Sequence, residues 1–435
     1  MAKQDTYPRF EAKEWNASGA FHFYGSHKPR SYIVEALTAA PIRGELLQQA
    51  LDKALDRLPY YRSTFVRKSG LYYYADNDLP VHVAESENAR SIGGKVTNYH
   101  MFDITYYENK ISFSMFHGLC DGLGLNRLIE STLYHYFCLK DGKNYSDEGI
   151  YTNNIPFDPE ETIDVMEKKT DADPKELKAL VSKEKRFRLP ELQDNKGPQM
   201  YRYPVKIGTN ALLTWCKSQG ATPGSGLAAM LCQVITKECQ VQEGVVMAVL
   251  PASLRKFLHA EKTFKNCASA YFLPASPTEC DGMSTGELGA KMRQDMKAMM
   301  DESHARLLSS SINMITHLGK KLPGHFLKNK LMAMSENRPQ DTFTLDYVGS
   351  LRTNDYSDQI KEVRYLNPDV YNGSMNVLLS ETAGSFHINF NQTFESDRYY
   401  TAFLKKLDEL GIPFETMQKE TYLNPEVDLP PEQRR

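Results

Sequence analysis

The sequence predicts an α/β protein of mixed sheets flanked by helices, with enough chain for two lobes, and three observations carry this. Runs of period-two apolar alternation interleave with longer stretches of helical periodicity, from residue 32 to residue 410. The 435 residues exceed what a single hydrophobic core usually serves, so two domains or a duplicated pair are expected. The composition, 41% hydrophobic and 25% charged, is that of a globular chain.

Residues 32–37 give the first expected strand. Residues 42–58 follow as an amphipathic helix, with Leu46, Leu47, Ala50, Leu51, Ala54, Leu55 and Leu58 on one face and Pro59 as its stop. One hairpin joins 62–66 to 71–74 across Lys68-Ser69-Gly70. A second joins 101–107 to 111–116 across Glu108-Asn109-Lys110. The tyrosines Tyr60, Tyr61, Tyr72, Tyr73 and Tyr74 read chiefly as packing on the sheet, with a substrate channel as the other reading. From 142 to 197 the periodicity fades into charged segments, a wet crossover with one solvated helix near 174–185 and no chemistry of its own.

The second half opens with a strand at 201–207 and helices at 210–219 and 225–238. Ser225, between Gly224 and Gly226, lacks G-x-S-x-G spacing and reads as a helix N-cap. Strands are expected at 244–250 and 268–273, then one long helix at 285–310 whose Met292, Met296, Met299 and Met300 stripe reads as packing. A strand at 342–348, a hairpin of 375–380 with 385–391, and a closing helix at 396–410 complete the chain.

The chemistry concentrates in Ser112 to Arg127, SFSMFHGLCDGLGLNR. An apolar strand runs into a polar corner at Gly118, and Gly122 and Gly124 flank the start of a helix reaching about residue 138. His117 is thus delivered out of a sheet, and its imidazole titrates near neutral pH, as a general base in attack on an acyl carbon must. Asp121 stands just before the helix. Such a carboxylate either orients His117 or fixes the corner by pairing with a cation elsewhere; four residues away in a tight turn it reads more as a brace than as a relay, and the plain alternative is a helix N-cap. Gly122 and Gly124 are expected to permit the sharp corner.

A net charge of -3 gives no reason to expect nucleic acid or an anionic membrane as partner. No apolar run approaches a membrane span, and the first fifteen residues have no apolar core of a signal peptide. Seven cysteines without CxxC or metal spacing read as reduced thiols, which predicts a cytoplasmic protein. His304, His317 and His325 have no ligand-spaced partners, so no metal is expected.

The order strand, HGLCDG, amphipathic helix resembles the active-site segment of the chloramphenicol-acetyltransferase-like superfamily, which includes condensation domains, plant-type HxxxD acyltransferases and alcohol acetyltransferases. A second resemblance lies in Pro251, Leu254 and Arg255 after a strand, with Asn266 shortly afterwards, as in the alcohol-acetyltransferase-like branch. The resemblance implies two lobes forming a pseudo-dimer with a channel between them: residues 1–150, a linker 151–198, and residues 199–435. It implies His117 as general base and an ion pair between Arg255 and Asp121. The strand end Asp346-Tyr347-Val348-Gly349 keeps the Asp and Gly of the family's second landmark without its Phe-Gly and Trp; that element is structural in the family or positions the acyl donor, some distance from the histidine, and Asn266, Asp346 and Gly349 are the substrate-side candidates. Asn391 or Ser380 is a candidate oxyanion donor from the opposing lobe. Phe116 stands where condensation domains commonly carry another histidine, which favours a freestanding enzyme with acyl-CoA (acetyl-CoA) as co-substrate and a hydroxyl or amine acceptor, and two lobes on one chain make a monomer the expectation. A carrier-protein-dependent enzyme and a non-catalytic binding protein are the alternatives.

Overall fold

The computed structural model describes residues 8–14, 19, 22–23, 29–167, 176, 184–193, 199–322, 326–328, 330, 341–366 and 375–432. The helix expected near 174–185 and His325 lie essentially outside them. The first half contributes β1 (Ser31–Thr38), α1 (Gly44–Arg57), β2 (Ser63–Lys68), β3 (Leu71–Asp76), β4 (Ala84–Glu85), β5 (Phe102–Tyr107), β6 (Lys110–Phe116) and α2 (Gly122–Asp141). The second contributes β7 (Gln199–Gly208), α3 (Thr209–Ser218), α4 (Pro223–Cys239), β8 (Val246–Ser253), β9 (Ala268–Ala275), α5 (Thr285–Met299) and α6 (Glu302–Lys321). It ends with β10 (Phe343–Tyr347), β11 (Ile360–Leu366), β12 (Met375–Thr382), β13 (Ser385–Gln392), α7 (Arg398–Glu409), β14 (Phe414–Thr416) and β15 (Glu420–Leu423).

Two mixed sheets result. The first runs β11-β1-β6-β5-β4, and the second β14-β7-β13-β12-β10-β8-β9 with β15 also on β7; β2 and β3 form a separate ribbon. Each sheet buries one face under helices. Leu47, Leu51 and Leu55 of α1 pack with Leu125, Ile129 and Leu133 of α2 over the first sheet. Leu227, Leu231 and Ile235 of α4 and Phe403 and Leu407 of α7 cover the second. Each such fully buried side chain contributes about 1.5–3 kcal/mol of burial free energy, and this is what the helical apolar stripes encode.

Four expectations change. The contiguous division at 150 and 199 misses an exchange: β11, from the second half, pairs antiparallel with β1 in the first sheet. The tail returns too, with Val427 N–H bonded to the Pro29 carbonyl and Asp428 N–H to Ile92. The single helix expected at 285–310 is two. Met300 leaves helical geometry (φ -91°, ψ 69°), and Asp301 accepts the His304 N–H at 2.7 Å to start α6. Thr222, not Ser225, caps α4, with Ser225 as the reciprocal member of a capping box. The crossover is not merely wet. Glu161 is buried on Arg57 at 2.6 Å. The Glu161 carbonyl accepts from Phe264 N–H and that of Ile163 from the Thr263 hydroxyl, stapling the crossover to the second half.

Candidate active site

β6 lies between β1 and β5, with Ser31 opposite Phe116 and Tyr32 opposite Met115, so the sheet fixes where the chain emerges at His117. Leu119 N–H closes a turn on the Phe116 carbonyl at 2.9 Å. The hydroxyl of Tyr60 binds the Leu119 carbonyl at 2.6 Å and that of Tyr74 the Gly118 carbonyl at 3.3 Å, so the loop's outward carbonyls are taken up. Tyr61 and Tyr72 are wholly buried packing, whereas Tyr60 and Tyr74 also line a cavity of about 590 Å³ with Phe157 and Phe264.

Asp121 both caps the helix and pairs with a cation. Its Oδ1 caps α2 by accepting the Gly124 N–H at 2.9 Å. Its two oxygens also accept from Arg255 in a fork, Nη1 to Oδ2 at 2.7 Å and Nη2 to Oδ1 at 2.8 Å, and Cys267 N–H adds a bond to Oδ2 at 2.9 Å. Both side chains are buried, at 3% and 7% exposure, so the pair is shielded from salt and water. Arg255 spends its remaining donors on the carbonyls of Thr263 (3.0 Å) and Lys265 (2.9 Å) and on the Ser253 hydroxyl (3.3 Å). The glycines are there for close approach rather than for backbone freedom. A Cβ on Gly124 would meet the Phe264 carbonyl oxygen at 2.1 Å, and one on Gly122 would meet Val348 Cγ1 at 2.7 Å. Neither has a positive φ.

Asn266 turns to the histidine's main chain: its Nδ2 donates to the His117 carbonyl at 2.7 Å. That places it with the bracing groups. Burial lowers the His117 pKa below its usual value, opposed by its own carbonyl, by Asp121 and by the Asn266 side chain, and Nδ1 has no hydrogen-bond partner among the other described residues. The imidazole is therefore neutral at pH 7 and available as a base.

Two neighbours of His117 were not legible in the sequence. His22 stacks on His117 with ring centroids 4.5 Å apart and planes 20° apart. Phe23, stacked on Tyr72 at 4.1 Å, anchors it there. Burial, and then His117, hold the His22 pKa well below its usual value. Tyr32, from the centre of the first sheet, places its ring 6.0 Å from that of His117. The Asp346 segment is nearer the histidine loop than expected, since Val348 packs on Gly122. Burial and the charge of Asp121 push the Asp346 carboxyl up to about 7. Gly349 turns the chain away with φ +92°, a conformation that favours glycine. The oxyanion candidates are engaged elsewhere. Asn391 donates to the Asn389 carbonyl at 3.1 Å and accepts from Tyr422 at 3.0 Å, and the Ser380 hydroxyl donates to the Val363 carbonyl. Among the described residues no cluster of His, Cys, Asp or Glu could hold a metal, and no helix is long and apolar enough to cross a membrane.

This fold, with His117 leaving the first sheet just ahead of a capped helix, is shared with solved acetyltransferases and condensation domains. The F. sporotrichioides protein TRI101, solved with coenzyme A and T-2, superposes with a TM-score of 0.63 at 9% identity, over 93% of this chain and 99% of that one. The trichothecene 15-O-acetyltransferase of Fusarium sporotrichioides gives 0.61 at 9% identity, covering 92% and 94%. The first condensation domain of the CDA synthetase gives 0.58 at 14% identity, covering 92% and 96%. Neither a family model nor a curated protein matches the sequence.

Proposed function

We propose that the protein is an acyltransferase that moves an acyl group from a thioester, most simply acyl-CoA, to a hydroxyl or amine, with His117 as general base. The observation that carries this is the buried imidazole of His117, its pKa lowered by burial, on a loop immobilised from behind by Asp121, Arg255 and Asn266. The fold it shares with a protein solved with coenzyme A supports the choice of donor.

In this reading His117 Nε2 takes the acceptor's proton while the acceptor oxygen or nitrogen bonds to the thioester carbon. The carbonyl electron pair moves onto oxygen, the C–S bond then breaks, and the thiolate leaves with the proton held by His117. The Asp121–Arg255 pair takes no part in proton transfer. It fixes the loop, so that the imidazole meets the acceptor without reorganising. Asp346 and Gly349 would border the substrates on the Gly122 side.

The test is thiol release from acetyl-CoA and longer acyl-CoAs against a panel of alcohols and amines. Release that requires both an acceptor and His117 is expected. Equal binding of acyl-CoA by wild type and His117→Ala, with no thiol release above the uncatalysed rate in either, would point to a binding protein instead.

A further inference from the structure

Acyl transfer develops a negative charge on the former carbonyl oxygen, and the reading above leaves that oxygen without a donor. Among the described residues, one unused hydroxyl lies beside the histidine. Tyr32 is only 3% exposed, and its hydroxyl has no hydrogen-bond partner among the described residues. A buried hydroxyl left unpaired is destabilising, so its place calls for a reason. The ring lies 6.0 Å from the His117 ring. The hydroxyl oxygen lies 3.2 Å from where a Cβ on Gly122 would stand, and Gly122 opens the 20-residue helix α2. The hydroxyl thus sits at a helix N-terminus, where the first-turn amides add partial positive charge. Only glycine at 122 leaves this approach open.

Resting on the acyltransferase reading, we propose that the Tyr32 hydroxyl donates a hydrogen bond to the oxyanion of the tetrahedral intermediate formed at His117. The step is balanced without any transfer from Tyr32. His117 holds the acceptor's proton, the new C–O or C–N bond is formed, and the carbonyl pair resides on the oxygen that Tyr32 faces. Collapse returns that pair to the carbonyl, expels the thiolate, and delivers the proton from His117 to sulfur. Burial keeps the phenol protonated, and the nearby Tyr365, Asp346, Cys120 and Asp121 add to this, so the hydroxyl remains a donor throughout the neutral range. Tyr365 is not a rival, because its own hydroxyl is spent on Asn126 Oδ1 at 3.1 Å.

Tyr32→Phe removes the hydroxyl and no other hydrogen bond, so the thermal midpoint should hold. A donor used only in the transition state should lower kcat and kcat/KM together by about 100- to 1000-fold, with KM for donor and acceptor unchanged. A Tyr32→Phe enzyme with wild-type kcat, beside an inactive His117→Ala, would overturn this assignment and leave the acyltransferase reading standing. A raised KM for the acceptor at unchanged kcat would overturn it as well, in favour of ground-state binding. Turnover that persists in His117→Ala would remove the reading beneath it. Should Tyr32→Phe fold poorly, fluorotyrosine at position 32 keeps the hydroxyl and should keep kcat; a loss as large as that expected for phenylalanine would also refute the role.

Discussion

The ion pair behind the His117 loop and the charge network between the two sheets both bury an arginine, but they distribute its partners in opposite ways. Asp121 meets one cation, Arg255, in a planar fork, and its other bonds come from the amides of Gly124 and Cys267. At the seam, Arg202 is wholly buried and binds Asn389 (2.6 Å), Glu362 (3.0 Å) and Glu420 (2.6 Å). Arg364 reaches Glu362 and Glu420 as well, and Glu35 at 3.8 Å with Lys110 on its far side. The first arrangement specifies one position for one loop. The second shares each carboxylate between cations and joins β1, β7, β11 and β15, the strands that the exchange brings together. A single bidentate pair gives geometry, and a redundant network gives tolerance.

Breaking the first should therefore cost most. Arg255→Ala leaves Asp121 buried without its cation and should remove about 3–5 kcal/mol of stability, read by denaturant titration. Because the loop's position is lost too, acyl transfer should fall in parallel, while Arg255→Ala with Asp121→Asn should cost less than the sum of the two. Additive effects would show that the fork is not a unit.

The network should instead reveal itself through pH. Burial alone would raise the Glu362 carboxyl, yet His387, Arg364 and Arg202 hold it down at about 2. A depressed carboxylate stabilises the fold above its unfolded value of about 4.5, and that contribution disappears as pH falls toward 2. Thermal midpoints measured from pH 5 to pH 2.5 should drop more steeply in wild type than in Glu362→Gln. Parallel curves would mean that Glu362 is not held by the network.

The smallest effect belongs to Glu420, whose side chain is 40% exposed. Glu420→Ala should cost about 0.2–1 kcal/mol, since Arg202 and Arg364 both keep Glu362. A loss as large as that of Arg255→Ala would show that the network is not redundant.

What the sequence disclosed follows the same division. The strand, corner and helix around His117 are consecutive, so local periodicity and a short motif expose them, and Arg255 follows from the resemblance at Pro251-x-x-Leu254-Arg255. The strand β11 escaped because Glu362 and Arg364 face the seam, and inward charges make IKEVRYL read as surface. Glu161 hid in a charged stretch for the same reason. His22 and Tyr32 reach His117 only through the fold: one sits in a segment without periodicity, and the other is one apolar position among several in a strand. The two-helix break at Met300 was signalled by Asp301, a helix cap inside what otherwise reads as continuous periodicity.

The pH profile of kcat/KM tests the central claim, that a neutral buried His117 is the base, most directly. Burial lowers its pKa, so the rate should hold down through pH 6.5 and fall only below it, with no such limb in any residual rate of His117→Ala. An acid limb at or above 6.5, or a profile unchanged by His117→Ala, would contradict the account.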